Sequence, residues 1–163
     1  MKPPTPTITR LTLKQYKSIE DCDFGLGALT VLVGRNGVGK SNILDSLSLV
    51  TDALQSTLEY ALLRRRGIAQ VRRKSPSKPT IPVIEVAINL PDGGTAQYGF
   101  AIETISGPLF RVKRERCIVR SPDGRIHRFA TADGTSREWS PATPGPAVSP
   151  DRLHLVAASG LPE

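Results

Sequence analysis

The sequence predicts a mixed α/β fold, and three observations support this prediction. A short apolar run, Leu29–Val33, leads into a glycine-rich loop, and a long amphipathic helix begins at Lys40. From residue 84 onward, apolar residues recur at every second position, which is typical of strands. With 163 residues, 39% of them apolar and 23% charged, the chain has the size and composition of one globular domain.

The first elements are strands. Alternating residues predict a strand over Ile8–Gln15, and Asp21–Leu26 is its candidate hairpin partner. The run Leu29–Val33 is apolar and β-branched, so we expect a strand that is buried on both faces. Residues 1–7 are rich in proline and threonine and are predicted to be a mobile leader.

A helix follows the glycine-rich loop. Its apolar residues are spaced by three or four and form one stripe: Ile43, Leu47, Val50, Leu54, Leu58 and Ala61. Three arginines and Gly67 come directly after this stripe. Cations suit the negative end of a helix dipole and glycine suits a helix stop, so we expect one continuous helix that ends there.

Strands dominate the rest of the chain. Ile84–Leu90 and Ala96–Ile102 predict a β-hairpin around the turn at residues 91–94. Further strands are expected at Leu109–Val119, Arg125–Ala130 and Leu153–Ala157, with a proline-rich connector over residues 141–150.

The segment Gly34–Ser41 fits the phosphate-binding pattern G-x-x-x-x-G-K-[ST] without a mismatch. Glycines let the backbone wrap around phosphates, and the helix start adds its positive dipole end. Lys40 would neutralise the β- and γ-phosphates, and Ser41 would bind Mg²⁺. The predicted nucleotide-binding residues are Gly34, Arg35, Asn36, Gly37, Val38, Gly39, Lys40, Ser41 and Asn42.

A formal net charge of +7 favours an anionic partner. One basic cluster offers candidate contacts to DNA phosphates: Arg64, Arg65, Arg66, Arg72, Arg73 and Lys74. The alternative interpretation of this cluster is a solvated helix end and loop. The two cysteines of the chain lack metal-ligand spacing. The sequence shows no secretory signal and no membrane span, so we expect a cytoplasmic protein without a membrane partner.

Tyr16-Lys17-Ser18, together with Asn36 and Asn42 in and after the loop, resembles the RecF/SMC/OLD-like branch of the ABC-type P-loop ATPases. The resemblance implies ATP and Mg²⁺ as ligands and the N-terminal lobe of an ABC-type head, with an antiparallel β layer beside the P-loop strand and helix. It also brings Lys17 and Ser18 near the nucleotide, although a solvated strand end is an equal alternative.

Two motifs of that branch are missing from the sequence, the LSGGQ-like signature and an apolar strand ending in Asp-Glu. Residues 8–163 are therefore predicted to be the N-terminal part of an ATPase domain. The resemblance implies that complete relatives hydrolyse ATP and act on DNA in repair, chromosome maintenance or phage defence, whereas this chain alone would be inactive.

A head-to-tail dimer, or a C-terminal lobe on the same or another chain, would complete the site. The alternative function is a non-hydrolysing nucleotide- or nucleic-acid-binding module whose P-loop is a switch or vestigial. A small P-loop kinase is a third hypothesis, and it lacks a recognisable lid or acceptor site.

Overall fold

An antiparallel sheet organises the chain in the computed structural model, which describes residues 5–76, 79–133, 135–140 and 151–158. Its seven strands are β1 (Thr7–Tyr16), β2 (Ile19–Gly25), β3 (Val83–Asn89), β4 (Thr95–Ser106), β5 (Leu109–Arg120), β6 (Ile126–Ala132) and β7 (Thr135–Ser140). They lie in the order β2-β1-β3-β4-β5-β6-β7, and every neighbouring pair is antiparallel. The predicted strands Ile8–Gln15 and Asp21–Leu26 and the predicted hairpin are therefore confirmed.

The described residues also form four helices: α1 (Lys40–Gln55), α2 (Leu58–Leu63), α3 (Ile68–Val71) and α4 (His154–Ala158). Their apolar side chains share one core with one face of the sheet. Leu11, Leu49 and Leu58, from β1, α1 and α2, are almost completely buried there. The mixed α/β class predicted from the sequence is confirmed, and this packing fixes the loop before α1 against the β1–β2 hairpin.

The predicted strand Leu29–Val33 is wrong, because the structure gives this segment no strand pairing. Leu29, Val31 and Val33 are 85%, 71% and 89% exposed. A β-branched sequence becomes a strand only where neighbouring strands satisfy its backbone groups. No strand pairs with this segment within the described residues, although residues of β2 line the same cleft as Val31 and Val33.

The prediction of one continuous helix is also wrong, because the helix is interrupted between Gln55 and Leu58. The Ser56 hydroxyl donates to the Asp52 carbonyl at 2.9 Å, and the Thr57 side chain accepts from the Tyr60 amide at 3.0 Å. Hydroxyl side chains compete in this way with helical backbone bonds and favour helix starts. The apolar stripe continues nevertheless, because α2 turns its own buried residues to the same core.

The predicted strand Leu153–Ala157 is a short helix instead. Its start is fixed by Glu115 of β5, a buried carboxylate that accepts hydrogen bonds from the His154 and Leu155 amides and from the Tyr98 hydroxyl. A carboxylate that satisfies helix N-terminal amides favours a helix over an extended chain. The connector 141–150, most of the leader 1–7 and the chain end lie outside the described residues, so those predictions stay untested.

None of the helices in the described part of the chain is both long and apolar enough to cross a membrane.

Candidate phosphate-binding site

The glycine-rich loop closes onto its own lysine. The Lys40 ammonium donates to the Gly34 carbonyl at 2.7 Å and to the Arg35 carbonyl at 2.8 Å. Gly37 and Gly39 have φ values of +84° and +110°, in the region that glycine adopts most easily. The loop therefore curls around the base of α1, and its residues Gly34 to Val38 are exposed.

The start of α1 is suited to an anion. Gly39 precedes the helix, no side chain caps it, and its first turn contains no acidic residue. Unpaired backbone amides and the helix dipole together favour negative charge at such a position. The exposed Ser41 hydroxyl follows Lys40 directly. These residues fit the phosphates of a nucleotide.

Magnesium fits the same place. Among the described residues no group of three His, Cys, Asp or Glu side chains could hold a metal. Mg²⁺ needs no such cage, because it binds through one or two protein oxygens together with substrate phosphates and waters. The Ser41 hydroxyl is the protein oxygen that this site offers.

The β1–β2 turn packs directly against the loop. A Cβ atom added to Gly39 would lie 3.1 Å from the Ser18 Oγ and 3.3 Å from the Ile19 Cγ1. The Asn42 side-chain amide donates to the Ser18 Oγ at 2.8 Å. The structure thus brings the predicted residues Ser18 and Asn42 together, and their side chains bind each other. A cleft of about 500 Å³ lies here, lined by Ser18, Ile19, Gly39 and Lys40 among others.

Lys17 points to a different partner. Its ammonium lies 2.5 Å from Asp45 Oδ2, and the same oxygen accepts from the Tyr16 hydroxyl at 2.6 Å. Arg65 Nε donates to the other oxygen, Asp45 Oδ1, at 3.0 Å. Of the two residues that the resemblance brings near the nucleotide, Lys17 is therefore held by Asp45 in the second turn of α1.

Asp45 is the charged centre of this contact. Partial burial alone would raise the pKa of Asp45, but hydrogen bonds from Lys17 and Tyr16 and the charge of Arg65 hold it below its usual range. Burial and the bond to Asp45 also raise the pKa of Tyr16. The carboxylate is therefore ionised at neutral pH.

Sequence reasoning missed Asp45, although a signal existed. Asp45 and Asp52 are seven residues apart, so they share one face of α1, and both contact Arg65. Two acidic residues on one helix face, followed by an arginine run, predict such a network.

The basic cluster divides into two groups. Arg64 and Arg65 pair with Asp52 at 2.9 and 2.8 Å, and Arg65 is 7% exposed. The second group lines an open pocket beside the β1–β2 turn: Arg66, Arg72, Arg73 and Lys74. Arg65 lines the same pocket, so the structure separates only Arg64 from the rest of the predicted cluster.

Comparison with known proteins gives three findings. The profile of a family described as "AAA domain, putative AbiEii toxin, Type IV TA system" matches residues 29–145, more than half of the chain. The OLD nuclease of Thermus scotoductus (strain ATCC 700910 / SA-01) is 46% identical over 43 residues, which make up 26% of this chain. That stretch is 8% of the relative, so the chain matches only a small part of it.

A solved structure from work on ATP-driven dimerization and DNA stimulated activation of SMC ATPases is 20% identical, with a TM-score of 0.41. The match covers 80% of this chain and 72% of that one. The family match spans the phosphate-binding loop, helices α1 to α3 and strands β3 to β7, and it leaves out β1 and β2. The predicted resemblance to RecF/SMC/OLD-like P-loop ATPases is confirmed. The chain belongs to the family of AAA domains whose profile matches residues 29–145.

Proposed function

We propose that this chain is the MgATP-binding lobe of an ATPase that acts on DNA, and that a second lobe supplies the groups needed for hydrolysis. The observation that carries the proposal is the loop closed around Lys40 at the uncapped start of α1. In this arrangement a cation, a helix dipole and several backbone amides converge on one small volume. A triphosphate matches that convergence better than a singly charged anion does.

Binding requires an exchange of partners at Lys40. Its ammonium now donates to two loop carbonyls, and on binding it would donate to the β- and γ-phosphates instead. Amides of the loop and of the first turn of α1 would donate to the remaining phosphate oxygens. Ser41 would hold Mg²⁺, which neutralises phosphate charge when bound.

The exposed run Leu29–Val33 supports a second lobe. It presents Leu29, Val31 and Val33 to solvent immediately before the loop. Contiguous apolar exposure next to a binding site marks an interaction surface. Its β-branched sequence suits an added strand, so the expected partner surface is an apolar strand of a further lobe, on the same or another chain.

A further lobe would also supply acidic residues. The segment nearest in sequence to an apolar strand ending in Asp-Glu is 81–85, and Glu85 lies exposed on β3 between Thr12 of β1 and Gly99 of β4. We assign it no role in hydrolysis. Nucleic acid as the working partner is supported by the net charge of +7 and by the similarity to an OLD nuclease.

The alternative is a nucleotide switch without hydrolysis, or a vestigial loop. One observation favours it, because the two bonds from Lys40 to its own loop compete with a phosphate for the same protons. A vestigial loop would keep these bonds in the presence of ATP.

Calorimetric titration of MgATP into the wild type and Lys40→Ala tests the proposal. Hydrogen bonds to charged groups contribute about 1.5–3 kcal/mol, so we expect the variant to bind about ten- to a hundredfold more weakly. Lys14→Ala, an exposed lysine on β1, is the matched control and should bind as the wild type does. Equal affinity in all three proteins, or undetectable binding at millimolar ATP, would contradict the proposal.

ATP turnover tests the second lobe separately. The chain alone should show negligible magnesium-dependent turnover. Robust turnover that Lys40→Ala abolishes would show that no further lobe is needed.

A further inference from the structure

A basic pocket lies beside the phosphate-binding loop. It is open, has a volume of about 670 Å³, and is walled by the β1–β2 turn, α3 and the segment that follows α3. Of the nine described residues that line it, six are arginine or lysine and none is acidic. Such a concentration of positive charge in a concave surface attracts and retains anions.

Part of this charge is already neutralised within the chain. Lys17 and Arg65 pair with Asp45, and Arg73 lies 3.1 Å from Glu20, which is 69% exposed. Arg66, Arg72 and Lys74 make no ion pair with any carboxylate of the described residues. The pocket therefore keeps a surplus of positive charge.

Arg72 gives an independent indication of a ligand. Its Nε atom is buried, and within the described chain it has no hydrogen-bond partner. Native structures rarely leave a buried N–H group without an acceptor. The Arg72 guanidinium therefore keeps a donor that no described residue uses.

The backbone holds Arg72 in place. Arg72 forms an isolated antiparallel bridge with Tyr16, and its amide donates to the Ile68 carbonyl at 3.0 Å. On either side, the Lys17 amide donates to the Val71 carbonyl at 2.8 Å, and the Arg73 amide donates to the Gln15 carbonyl at 2.7 Å. The guanidinium group is therefore presented from a fixed backbone, which lowers the entropy cost of binding.

The ligand class follows from these side chains. Arginine donors in a fixed fork match phosphate oxygens, and lysine adds a point charge. No aromatic side chain is among the described residues that line the pocket, so these residues offer bases no stacking surface. The chemistry suits the phosphodiester backbone of a nucleic acid, bound without sequence preference.

We infer that this pocket binds backbone phosphates along one strand of a nucleic acid through Arg66, Arg72 and Lys74. This rests on the proposed function only for the expectation that nucleic acid is the working partner. Ser18 lines both this pocket and the cleft at the phosphate-binding loop, so the strand would lie directly beside the nucleotide.

A double variant tests the inference, Arg72→Gln with Lys74→Gln, titrated with a short fluorescent single-stranded oligodeoxynucleotide at several salt concentrations. Removing two phosphate contacts should weaken binding about tenfold and reduce the slope of log K against log salt by about 1.4. MgATP affinity should stay unchanged.

The matched control is Arg120→Gln with Arg125→Gln, which removes the same charge. Strand register puts Arg120 opposite Thr95, at the other end of the sheet from Tyr16. Oligonucleotide binding should stay close to that of the wild type in this control. An equal loss in both double variants would mean that net charge alone binds DNA, and would overturn the inference.

Two further arms separate the remaining outcomes. If the pocket variant loses MgATP affinity while oligonucleotide binding persists, the pocket serves the nucleotide's own phosphates and the inference is wrong. Lys40→Ala should lose MgATP but keep the oligonucleotide, so a failure of the proposed function is recognisable by itself. Should Arg72→Gln fail to fold by circular dichroism, the exposed Lys74→Gln alone still tests the site, with about half the change in salt slope.

Discussion

Removing the Asp45 carboxylate should lower the free energy of unfolding by more than the partial exposure of Asp45 suggests. Asp45→Ala deletes the acceptor for three donors: the Tyr16 hydroxyl at 2.6 Å, the Lys17 ammonium at 2.5 Å and Arg65 Nε at 3.0 Å. The Asp45 side chain is 27% exposed, but Tyr16 is fully buried. The cost therefore depends on how well each donor can find another partner.

The three donors differ in this respect. Tyr16 has no route to solvent, and a buried hydroxyl without an acceptor costs about 1–3 kcal/mol. Arg65 keeps Asp52 at 2.8 Å, so it loses one of two carboxylates. Lys17 can turn to water, so its loss is small, as for other partly exposed pairs. Together we expect a loss of about 2–4 kcal/mol, below the upper range for breaking a fully buried pair.

Equilibrium unfolding in urea at neutral pH measures this loss. With an m-value of about 2 kcal/mol/M, a 3 kcal/mol loss lowers the midpoint by about 1.5 M. Asp45→Asn keeps one acceptor oxygen and should fall between Asp45→Ala and the wild type. Asp21→Ala is the control, because Asp21 and Lys14 are 3.5 Å apart and both more than half exposed, and it should hardly move the midpoint.

Acid titration gives the sign of the charge effect. The folded pKa of Asp45 is below its usual range, so its stabilising effect is present at neutral pH and is lost as pH falls through that lowered pKa. Asp45→Ala should therefore lose less stability than the wild type on acidification below about pH 4. A midpoint shift no larger than that of Asp21→Ala would refute the reasoning, because Tyr16 would then have an acceptor other than Asp45.

Two more substitutions probe the loop and the far end of the sheet. Gly39→Ala should weaken MgATP binding, because alanine disfavours a φ of +110° and its Cβ would lie only 3.1 Å from the Ser18 Oγ. Calorimetry measures this loss, and the control Gly27→Ala should bind MgATP as the wild type does. Burial raises the pKa of Glu115 above its unfolded value, so wild-type stability should fall as pH rises from about 4.3 through the raised pKa. Urea unfolding over a pH series should show that Glu115→Gln no longer loses stability in this way, whereas the control Glu85→Gln, at an exposed site, still does. If Glu115→Gln loses as much stability as the control, Glu115 is not the group responsible.

Much of the fold could be predicted because its signals are local. Alternation over Ala96–Ile102 and the turn before it predict a hairpin from neighbouring residues alone, and β3 and β4 form it. The stop after α2 is local too, since the Gly67 amide bonds back to the Leu62 carbonyl. Glycine and lysine spacing likewise predicts the loop that opens α1.

The failures depend on groups far apart in sequence. Leu29–Val33 has the composition of a buried strand, but strand formation needs a neighbour that composition cannot supply. The helix over residues 154–158 depends on Glu115, which lies about forty residues earlier and satisfies its first amides. Asp45 collects donors from β1 and from the arginine run, and no window of the sequence contains them all.

The β1–β2 turn is the element that joins the two candidate sites. Ser18 binds Asn42 at the start of α1, and the neighbouring Lys17, held at a φ of +48°, binds Asp45 one turn further along the same helix. The pocket shares both residues of the turn, so a phosphate that draws Lys17 from Asp45 would also disturb the start of α1. Coupling of binding free energies is reciprocal. If the turn transmits it, MgATP must change oligonucleotide affinity by the same factor as the oligonucleotide changes MgATP affinity.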